Sequence, residues 1–280
     1  MKYLSIDVGG TFIKYALINY KGEIIEKSKV ETPRAESKGT LEDFINILVH
    51  IYNKYKSHVE GVAISMPGIL DSDTGYLYTS GSIEYASNIN LVELLKDKID
   101  VNVTIENDGK CAALAELWCG ELSNVENGAV VVLGTGIGGG IIINGKLHKG
   151  SHFSAGEFSY IADGSENTMD LNSYWGMISS VWKLIELVSD KTGIPIKELS
   201  GESVFDMVNM GDKKALEALD IYSKNLAIKI YNLQVLLDLD LIAIGGGISQ
   251  QPLLLEYINK NIDFLIKNNP LRAISPIIPT

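Results

Sequence analysis

The chain has 280 residues, of which 46% are hydrophobic and 21% charged, and its formal net charge is −11. This length allows one large or two medium domains, and the acidic balance argues against a nucleic-acid partner, which would need clustered Lys and Arg. No leader segment precedes the first strand pattern, and no run of about 18 apolar residues could span a bilayer. We therefore expect a cytoplasmic protein without a membrane partner.

Apolar periodicity predicts strands that cluster and then alternate with helices in each half of the chain. Strands are predicted near residues 2–8, 12–19, 23–31, 60–66, 101–106, 128–133, 138–144 and 240–245. Helices are predicted near residues 40–56, 90–98, 109–119, 172–190, 202–209, 212–237 and 252–267. This order is typical of an α/β fold, and we predict an N-terminal lobe, 1–116, and a C-terminal lobe, 117–280.

A glycine-rich turn, Asp7-Val-Gly-Gly-Thr11, follows the first predicted strand. Backbone N–H groups in such a turn can hold phosphates, and an Asp at the strand end could hold Mg²⁺ through water. The alternative is that Asp7 starts an ordinary turn whose glycines meet the needs of a tight hairpin. The predicted nucleotide-binding residues here are Asp7, Gly9, Gly10, Thr11 and Lys14.

Three consecutive polar residues, Glu106, Asn107 and Asp108, end the predicted strand 101–106. Open α/β sheets bind their ligands at the carboxyl ends of strands. A carboxylate such as Asp108 can accept the proton of a hydroxyl that attacks a γ-phosphorus, while Asn107 can hydrogen-bond a neighbouring hydroxyl. The alternative is that Asn107 or Asp108 only caps the helix that begins at Gly109.

A second glycine turn, Gly134-Thr-Gly-Ile-Gly-Gly139, follows the apolar run 129–133. Its spacing resembles a dinucleotide-binding fingerprint, but the β-branched run 141–147 with an Asn-Gly hairpin signal stands where that fingerprint needs a helix. Two similar hairpins about 125 residues apart predict a duplicated architecture with a nucleotide between the halves. The predicted nucleotide-binding residues here are Gly134, Thr135, Gly136, Gly138 and Gly139.

Further polar and glycine-rich loops could complete a site for a polyol and a nucleoside. Gly68 ends the Ser-Met-Pro-Gly segment, and Gly81 and Ser82 lie in a polar loop. Glu157 follows the second hairpin. The run Gly245, Gly246 and Gly247 follows the last predicted strand and could let adenine or ribose approach the backbone. Plain turn chemistry is the alternative for these glycines.

The two cysteines, Cys111 and Cys119, are eight residues apart on a predicted helix. A rise of about 1.5 Å per residue separates them by roughly 12 Å, beyond disulfide reach, so we expect reduced thiols. The four histidines are scattered without the spacing of a zinc site.

Together with Pro67-Gly68 and Ala155-Gly-Glu157, these motifs resemble, in order, those of the ROK family of bacterial sugar kinases, repressors and uncharacterised open reading frames. The resemblance runs from residue 1 to about 280. It implies a duplicated actin-like (RNase H-like) ATPase fold, with two lobes around a nucleotide and sugar cleft. It further implies transfer from ATP with Mg²⁺ to a sugar hydroxyl, with Asp108 as base and Asn107 and Glu157 as sugar ligands. We also expect a homodimer.

Departures from the family pattern concern the sugar. Family glucokinases usually carry a histidine where Tyr160 stands and a Cys-rich zinc loop behind it, whereas residues 161–175 contain no cysteine. Asn172 lies near the place of a second glutamate. We therefore expect no zinc. Tyr160, with Gly81 and Ser82, resembles the β-glucoside kinases of the family, which phosphorylate the 6-hydroxyl of the non-reducing glucose in disaccharides such as cellobiose.

Several alternatives stay open at this point. Within the enzymes they are an N-acetylmannosamine kinase and a glucokinase or fructokinase. A sugar-binding sensor is the non-enzymatic alternative. A repressor of the family would carry a helix-turn-helix before the first strand, and Tyr3 already lies in that strand. Relatives continue beyond the segment 277–280 with a closing helix, so we expect either a truncated chain or a version without that helix.

Overall fold

The computed structural model describes residues 1–33, 39–162 and 170–270, and the chain folds into two compact units. The first comprises Met1–Cys111 and Gly150–Ser154. The second comprises Ala112–Lys149 and the described part of Ala155–Thr280. The sequence pattern did not predict that a five-residue segment would group with the first unit.

Most predicted elements are present with shifts of one or two residues. The strands are β1 Lys2–Val8, β2 Phe12–Asn19, β3 Ile24–Glu31, β4 Gly61–Met66, β5 Leu70–Asp71, β6 Tyr76–Leu77, β7 Ile89–Asn90, β8 Asn102–Asn107, β9 Gly128–Leu133, β10 Ile137–Ile143, β11 Lys146–Leu147 and β12 Leu241–Gly246. The α-helices are α1 Leu41–Tyr55, α2 Leu91–Leu95, α3 Asp108–Cys119, α4 Trp175–Ile178, α5 Val181–Thr192, α6 Gly201–Asn209, α7 Lys213–Leu237 and α8 Pro252–Lys267.

The first unit is built on a five-stranded sheet in the order β3-β2-β1-β4-β8. β1, β2 and β3 are antiparallel neighbours, whereas β1, β4 and β8 run parallel. Because strand side chains alternate between faces, Leu4, Ile6 and Val8 enter the core, and Asp7 lies on the opposite face. α1 packs into the same core and begins at a capping box between Thr40 and Asp43.

The second unit is built on a four-stranded sheet in the order β11-β10-β9-β12. β9 and β10 form an antiparallel hairpin, and β12 runs parallel to β9. Buried residues of α5, α6, α7 and α8 share its main core with β9 and β12. This plan of a hairpin with a parallel strand beside its first member repeats that of β1, β2 and β4, which is the duplication that the sequence predicted.

Two features differ from the sequence-based prediction. The predicted helix 172–190 is wrong, because the chain forms a short 3₁₀ helix at Leu171–Ser173 and then two helices, α4 and α5. The break has a local cause: the Ser180 hydroxyl accepts a hydrogen bond from the Lys183 N–H and so starts a new helix. The small sheet β5-β6-β7 was not predicted, since two-residue strands carry no periodicity.

Both cysteines lie on α3 as free thiols. In the described part of the chain, no helix combines the length and the apolarity that a membrane crossing needs.

Candidate active site

A row of polar side chains crosses one face of the first sheet. Asp7 on β1 pairs with Lys14 on β2 and with Ser65 on β4, and Ser65 pairs with Glu106 on β8. All four side chains are on the face opposite the core, where they are at least partly exposed. Asp108 follows β8 directly. The predicted base, Asp108, and the predicted magnesium-binding Asp7 therefore lie at the carboxyl ends of parallel strands of the same sheet.

Asn107 is the residue that caps α3. Its Oδ1 accepts from the Lys110 N–H at 3.0 Å, and its Nδ2 donates to the Gly68 carbonyl at 2.9 Å. The side chain is buried, with 4% of its surface exposed. Asn107 thus fixes the helix start and the turn at Gly68, and only its second N–H and its second lone pair can reach a sugar.

Capping by Asn107 answers the alternative left open for Asp108. The Asp108 carboxylate accepts a hydrogen bond from its neighbour, the Gly109 N–H, at Oδ1 with a distance of 2.8 Å, and another from its own backbone N–H. The side chain keeps more than a third of its surface exposed. Its carboxylate is therefore placed at the strand end without being needed to hold the i to i+3 cap.

Partial desolvation raises the pKa of the Asp108 carboxyl above the ordinary Asp value, and the nearby Asp7 carboxylate adds to this effect. The Gly109 N–H and the Lys110 charge act in the opposite direction. Desolvation acts although the Asp108 side chain contacts water directly, because surrounding protein atoms displace more distant water molecules that would stabilise its charge. A carboxylate with a raised pKa is a stronger base.

Asp7 is held through both carboxylate oxygens. The Ser65 hydroxyl donates to Oδ1 at 3.0 Å, and Lys14 Nζ lies 3.5 Å from Oδ2. Both members of the ion pair are about half exposed or more, so the pair orients Asp7 more than it stabilises the fold. The sequence analysis assigned Lys14 to the nucleotide. In the structure, its ammonium group lies beside the Asp7 carboxylate.

The donor set suits a magnesium ion that is held through water. Among the described residues, no group of three or more His, Cys, Asp and Glu side chains could hold a metal by itself. Mg²⁺ is usually bound by one or two carboxylates together with waters and substrate phosphates, and an oriented carboxylate such as Asp7 fits that role.

Lys110 and Cys111 follow Asp108 on α3, and the sequence analysis assigned neither residue to the site. Lys110 is buried, with 2% of its surface exposed, and its charge acts on Asp108. Burial, then the Glu106 carboxylate, raises the pKa of the Cys111 thiol to about 12, although a hydrogen bond with Ser65 opposes this. A thiol with so high a pKa is unreactive. Lys110 could have been identified from the sequence, because it is only two residues after Asp108.

The predicted sugar loops lie against the first glycine turn. A Cβ at Gly10 would come within 2.5 Å of Ser82 Oγ, so the two residues are in direct contact. Gly68 has a φ of +96°, and a Cβ there would be 2.4 Å from the Thr79 carbonyl oxygen. A Cβ at Gly81 would be 3.2 Å from Pro67. The first unit therefore brings Gly68, Gly81 and Ser82 together with Gly10.

The turn is held by backbone hydrogen bonds, one to the start of β2 and one from the residue after β3. The Gly9 N–H donates to the Phe12 carbonyl at 3.0 Å, and the Thr32 N–H donates to the Thr11 carbonyl at 3.0 Å. The Gly10 and Thr11 side of the turn is exposed to solvent. Gly10 and Thr11 thus remain accessible for the predicted contact with phosphate.

Among the glycines of the second turn and of the run 245–247, two classes can be distinguished. A Cβ at Gly139 or Gly246 would lie 2.1 Å from a backbone oxygen, of Val130 or Leu133 respectively, so packing alone requires glycine there. By contrast, the nearest atom to a Cβ at Gly134 is 3.7 Å away, and at Gly247 there is none within 4 Å. Packing does not explain these two glycines.

The other predicted nucleotide-binding residues of the second unit lie on the same hairpin or beside it. Gly138 pairs with Val132, which also pairs with Gly245 on β12. The Gly134 N–H donates to the Gly136 carbonyl at 3.0 Å, and Thr135 at the tip is exposed.

The segment with Glu157 is attached to this second hairpin. Ser159 Oγ accepts from the Ile137 N–H at 3.0 Å and donates to the Ile137 carbonyl at 2.8 Å. Glu157 is half-buried at the start of the 3₁₀ helix Phe158–Tyr160. Tyr160 is 69% exposed at its end. Within the second unit, Glu157 and Tyr160 are thus fixed relative to the predicted phosphate turn.

Asn172 lies in the 3₁₀ helix Leu171–Ser173, where its Nδ2 donates to Asp170 Oδ1 at 3.1 Å. Residues 163–169, which are part of the segment in which the sequence predicts no zinc loop, lie outside the described residues, as does the segment 277–280.

Comparisons with known proteins agree with the architecture and the motifs. The model of the ROK family matches residues 3–279. A β-glucoside kinase from Listeria monocytogenes is 33% identical over 253 residues, which cover 90% of this chain and 84% of that protein. An N-acetyl-D-glucosamine kinase from Vibrio atlanticus is 31% identical over 93% of this chain and 89% of its own.

A solved structure gives the same result. A ROK family protein from Streptococcus pneumoniae TIGR4, crystallised in complex with sucrose, superposes with a TM-score of 0.84 at 31% identity. The match covers 100% of this chain and 92% of that chain. The predicted fold class is confirmed. The chain belongs to the ROK family, and it is a sugar kinase with the actin-like ATPase fold.

Proposed function

We propose that this sugar kinase transfers the γ-phosphoryl group of ATP to O6 of the glucose unit in a β-glucoside such as cellobiose, with Asp108 as the general base. The observation that carries the proposal is the division of roles at the end of β8. Asn107 caps α3, which leaves the Asp108 carboxylate accessible with a raised pKa. That is what proton transfer from a hydroxyl requires.

The remaining polar groups of the first unit bind and orient the substrates in this proposal. Gly68, Gly81, Ser82 and Asn107 contact the sugar, and their mutual packing supports a common role. Asp7 holds Mg²⁺ through water, and the ion, when bound, neutralises charge on the phosphates. Asp108 accepts the proton of the attacking hydroxyl as the new O–P bond forms and the bond to ADP breaks.

Glycine turns bind the nucleotide in this proposal. Gly9, Gly10 and Thr11 contribute from the first turn, and the second turn contributes Gly134, Thr135, Gly136, Gly138 and Gly139. Gly245 to Gly247 let the adenosine approach the backbone. The room at Gly134 and Gly247, where packing makes no demand for glycine, supports this assignment.

The proposed acceptor class follows from three side chains of the second unit. Glu157 is the sugar ligand, and its attachment to the second hairpin through Ser159 supports a fixed position. Tyr160 is an exposed ring where glucokinases of the family carry histidine, and Asn172 replaces a carboxylate. An amide makes a weaker hydrogen bond to a free anomeric hydroxyl than a carboxylate does. The pocket is therefore proposed to accept a substituted anomeric end.

The experiment is a coupled assay of ADP release with cellobiose, glucose, N-acetylglucosamine, N-acetylmannosamine and fructose. We expect turnover of cellobiose at least as efficient as that of glucose. Activity should persist with a zinc-selective chelator when Mg²⁺ is in excess and should be lost when Mg²⁺ is removed. Turnover of a free monosaccharide without any β-glucoside would replace the acceptor in this proposal. The relatives named above make N-acetylglucosamine the main competitor.

Two further expectations complete the proposal. The resemblance to bacterial sugar kinases supports a cytoplasmic homodimer. Light scattering of the purified protein should give about twice the mass of one chain, which is 30.6 kDa. A mass of one chain at micromolar concentration would contradict the dimer.

A further inference from the structure

Three aromatic side chains, one exposed and two partly buried, form a cluster in the first unit, outside every residue assigned above. Tyr78 packs edge-on against Tyr76 with ring centroids 5.0 Å apart. It also stacks on Phe153, with centroids 5.9 Å apart and an interplanar angle of 21°. Despite both contacts, 44% of Tyr78 is exposed. We call Tyr76, Tyr78 and Phe153 the aromatic platform.

The backbone of Phe153 is strained in the conformation that places its ring against Tyr78. Four described non-glycine residues have positive φ, and three of them are Asn or Asp, which tolerate it. Phe153 is the fourth, with a φ of +60°. Bulky residues adopt this region at a cost in free energy, and such cost is found mostly at functional sites. The strain is incurred in the segment Gly150–Ser154, which groups with the first unit.

The platform is continuous with the sugar loops. The Tyr78 and Thr79 N–H groups both donate to the Ile69 carbonyl, at 2.9 and 3.1 Å. The residue before Ile69 is Gly68, whose carbonyl accepts from Asn107. The strand end at Asn107 and the platform are thus joined by one hydrogen-bonded turn.

The same loop leads from the platform to Ser82. Ser82 is the fourth residue after Tyr78, so their Cα atoms are at most about 14 Å apart. A ligand that contacts Gly81 and Ser82 with one sugar ring would extend along this loop toward the platform with the next.

From this geometry we propose that the aromatic platform is a subsite for the second sugar ring of a β-glucoside acceptor. The inference rests on the proposed function and names the residues that would select a disaccharide over a monosaccharide. Sugar rings present C–H groups on their faces, and these pack against the negative face of an aromatic ring. The Tyr78 hydroxyl adds a hydrogen-bonding group at the edge of the stack.

The experiment compares kcat/KM for cellobiose and for glucose in single variants of the full chain. Tyr78→Leu keeps apolar volume and removes the ring, while Tyr78→Phe keeps the ring. Tyr20→Leu is the control, since Tyr20 is another exposed tyrosine of the same unit and lies outside the platform. We expect Tyr78→Leu to lower kcat/KM for cellobiose by about 3- to 10-fold, which is the range of an aromatic contact, and to leave glucose within about 2-fold. Tyr78→Phe and Tyr20→Leu should resemble wild type.

Phe153→Gly supplies a second variant that does not depend on the fold of the Tyr78 loop. Glycine relieves the positive φ while removing the ring. The cellobiose preference should fall although thermal stability is kept or raised. Unchanged cellobiose to glucose ratios in both variants would overturn the subsite and leave the kinase assignment intact. An equal loss for both sugars in Tyr78→Leu would assign it a role in holding the loop, which also overturns the inference.

A binding measurement separates this inference from the proposed function. If the wild type does not phosphorylate cellobiose, the proposed acceptor fails, and cellobiose binding is then measured by isothermal titration calorimetry. Binding by the wild type that weakens in Tyr78→Leu and Phe153→Gly would uphold the platform as a sugar subsite. Equal binding by all three proteins, or none, would overturn it.

Discussion

The two sheets share one plan, yet equivalent positions carry different chemistry. In the first sheet, Val8 and Ile13 are the last pair before the hairpin turn. The next pair is Asp7 on β1 with Lys14 on β2, and Asp7 also pairs with Ser65 on β4. The corresponding row of the second sheet consists of Gly138, Val132 and Gly245 on β10, β9 and β12. The first sheet therefore has an ammonium group, a carboxylate and a hydroxyl at these positions. The second sheet has two glycines on either side of a valine.

This difference indicates how a duplicated fold can divide a reaction. Side chains are needed where charge must be oriented, as at Asp7, and glycine is needed where backbone must come close to a ligand. The turns differ too: four residues separate Val8 from Ile13, and three separate Leu133 from Ile137. We infer that the first sheet supplies the groups for the chemistry and the second supplies backbone contacts to the nucleotide.

The largest expected effect comes from replacing Asp108, whose side chain is the proposed general base beside the first sheet. Asp108→Asn keeps the shape and removes the base, so kcat should fall by about 10²-fold or more, while sugar affinity stays within a few-fold. Steady-state kinetics and sugar titration measure the two quantities. Asp97→Asn, at an exposed position after α2, is the control and should behave as wild type. Near-normal turnover of Asp108→Asn would remove Asp108 from the chemistry.

Two glycine substitutions test whether the second sheet contributes backbone contacts to the nucleotide. Gly139→Ala places a Cβ against the Val130 carbonyl and should destabilise the protein by about 1–3 kcal/mol, in line with overpacking. Gly134→Ala meets no protein atom within 3.7 Å, so the melting temperature should be preserved while KM for ATP rises several-fold. Thermal unfolding and ATP kinetics report the two effects. An unchanged KM in Gly134→Ala would leave that glycine without a nucleotide role.

Ser65→Ala should have a smaller effect, because it removes only one of the two groups that orient Asp7. A hydrogen bond to a charged group contributes about 1.5–3 kcal/mol when fully retained, and exposure to water reduces that figure here. We expect kcat/KM for ATP to fall about 3- to 10-fold, with a higher Mg²⁺ concentration needed for half-maximal rate. Ser5→Ala, on the same strand face as Asp7, is the control. Equal Mg²⁺ dependence in both variants would contradict the positioning role.

The sequence predicted the sheets better than the site. Strand patterns and glycine turns are local signals, so β1, β2, β9 and β10 could be placed within one residue of their observed bounds. The identity of the α3 cap could not be predicted, since both Asn107 and Asp108 are suitable residues and the choice depends on the distant Gly68 carbonyl. The contact between Tyr78 and Phe153 could not be predicted either, because the two residues are 75 positions apart in the sequence.

The smallest expected effect concerns stability, and it follows from the sign of the Asp108 pKa shift. The pKa of the folded state is raised above the unfolded value, so the folded state binds the proton more tightly. Ionisation of Asp108 therefore costs stability, and this cost is absent at low pH and appears as pH rises through the unfolded and then the folded pKa. At neutral pH the neutral side chain in Asp108→Asn avoids the cost while its oxygen still accepts from the Gly109 N–H. The variant should melt at the wild-type temperature or slightly above it at pH 7, and the difference should shrink as pH is lowered toward 4. Differential scanning fluorimetry at both pH values measures it, with Asp97→Asn in parallel. A lower melting temperature for Asp108→Asn at pH 7 would mean that the charged carboxylate stabilises the start of α3, and Asp108 would then be a structural residue of the first sheet as well as its base.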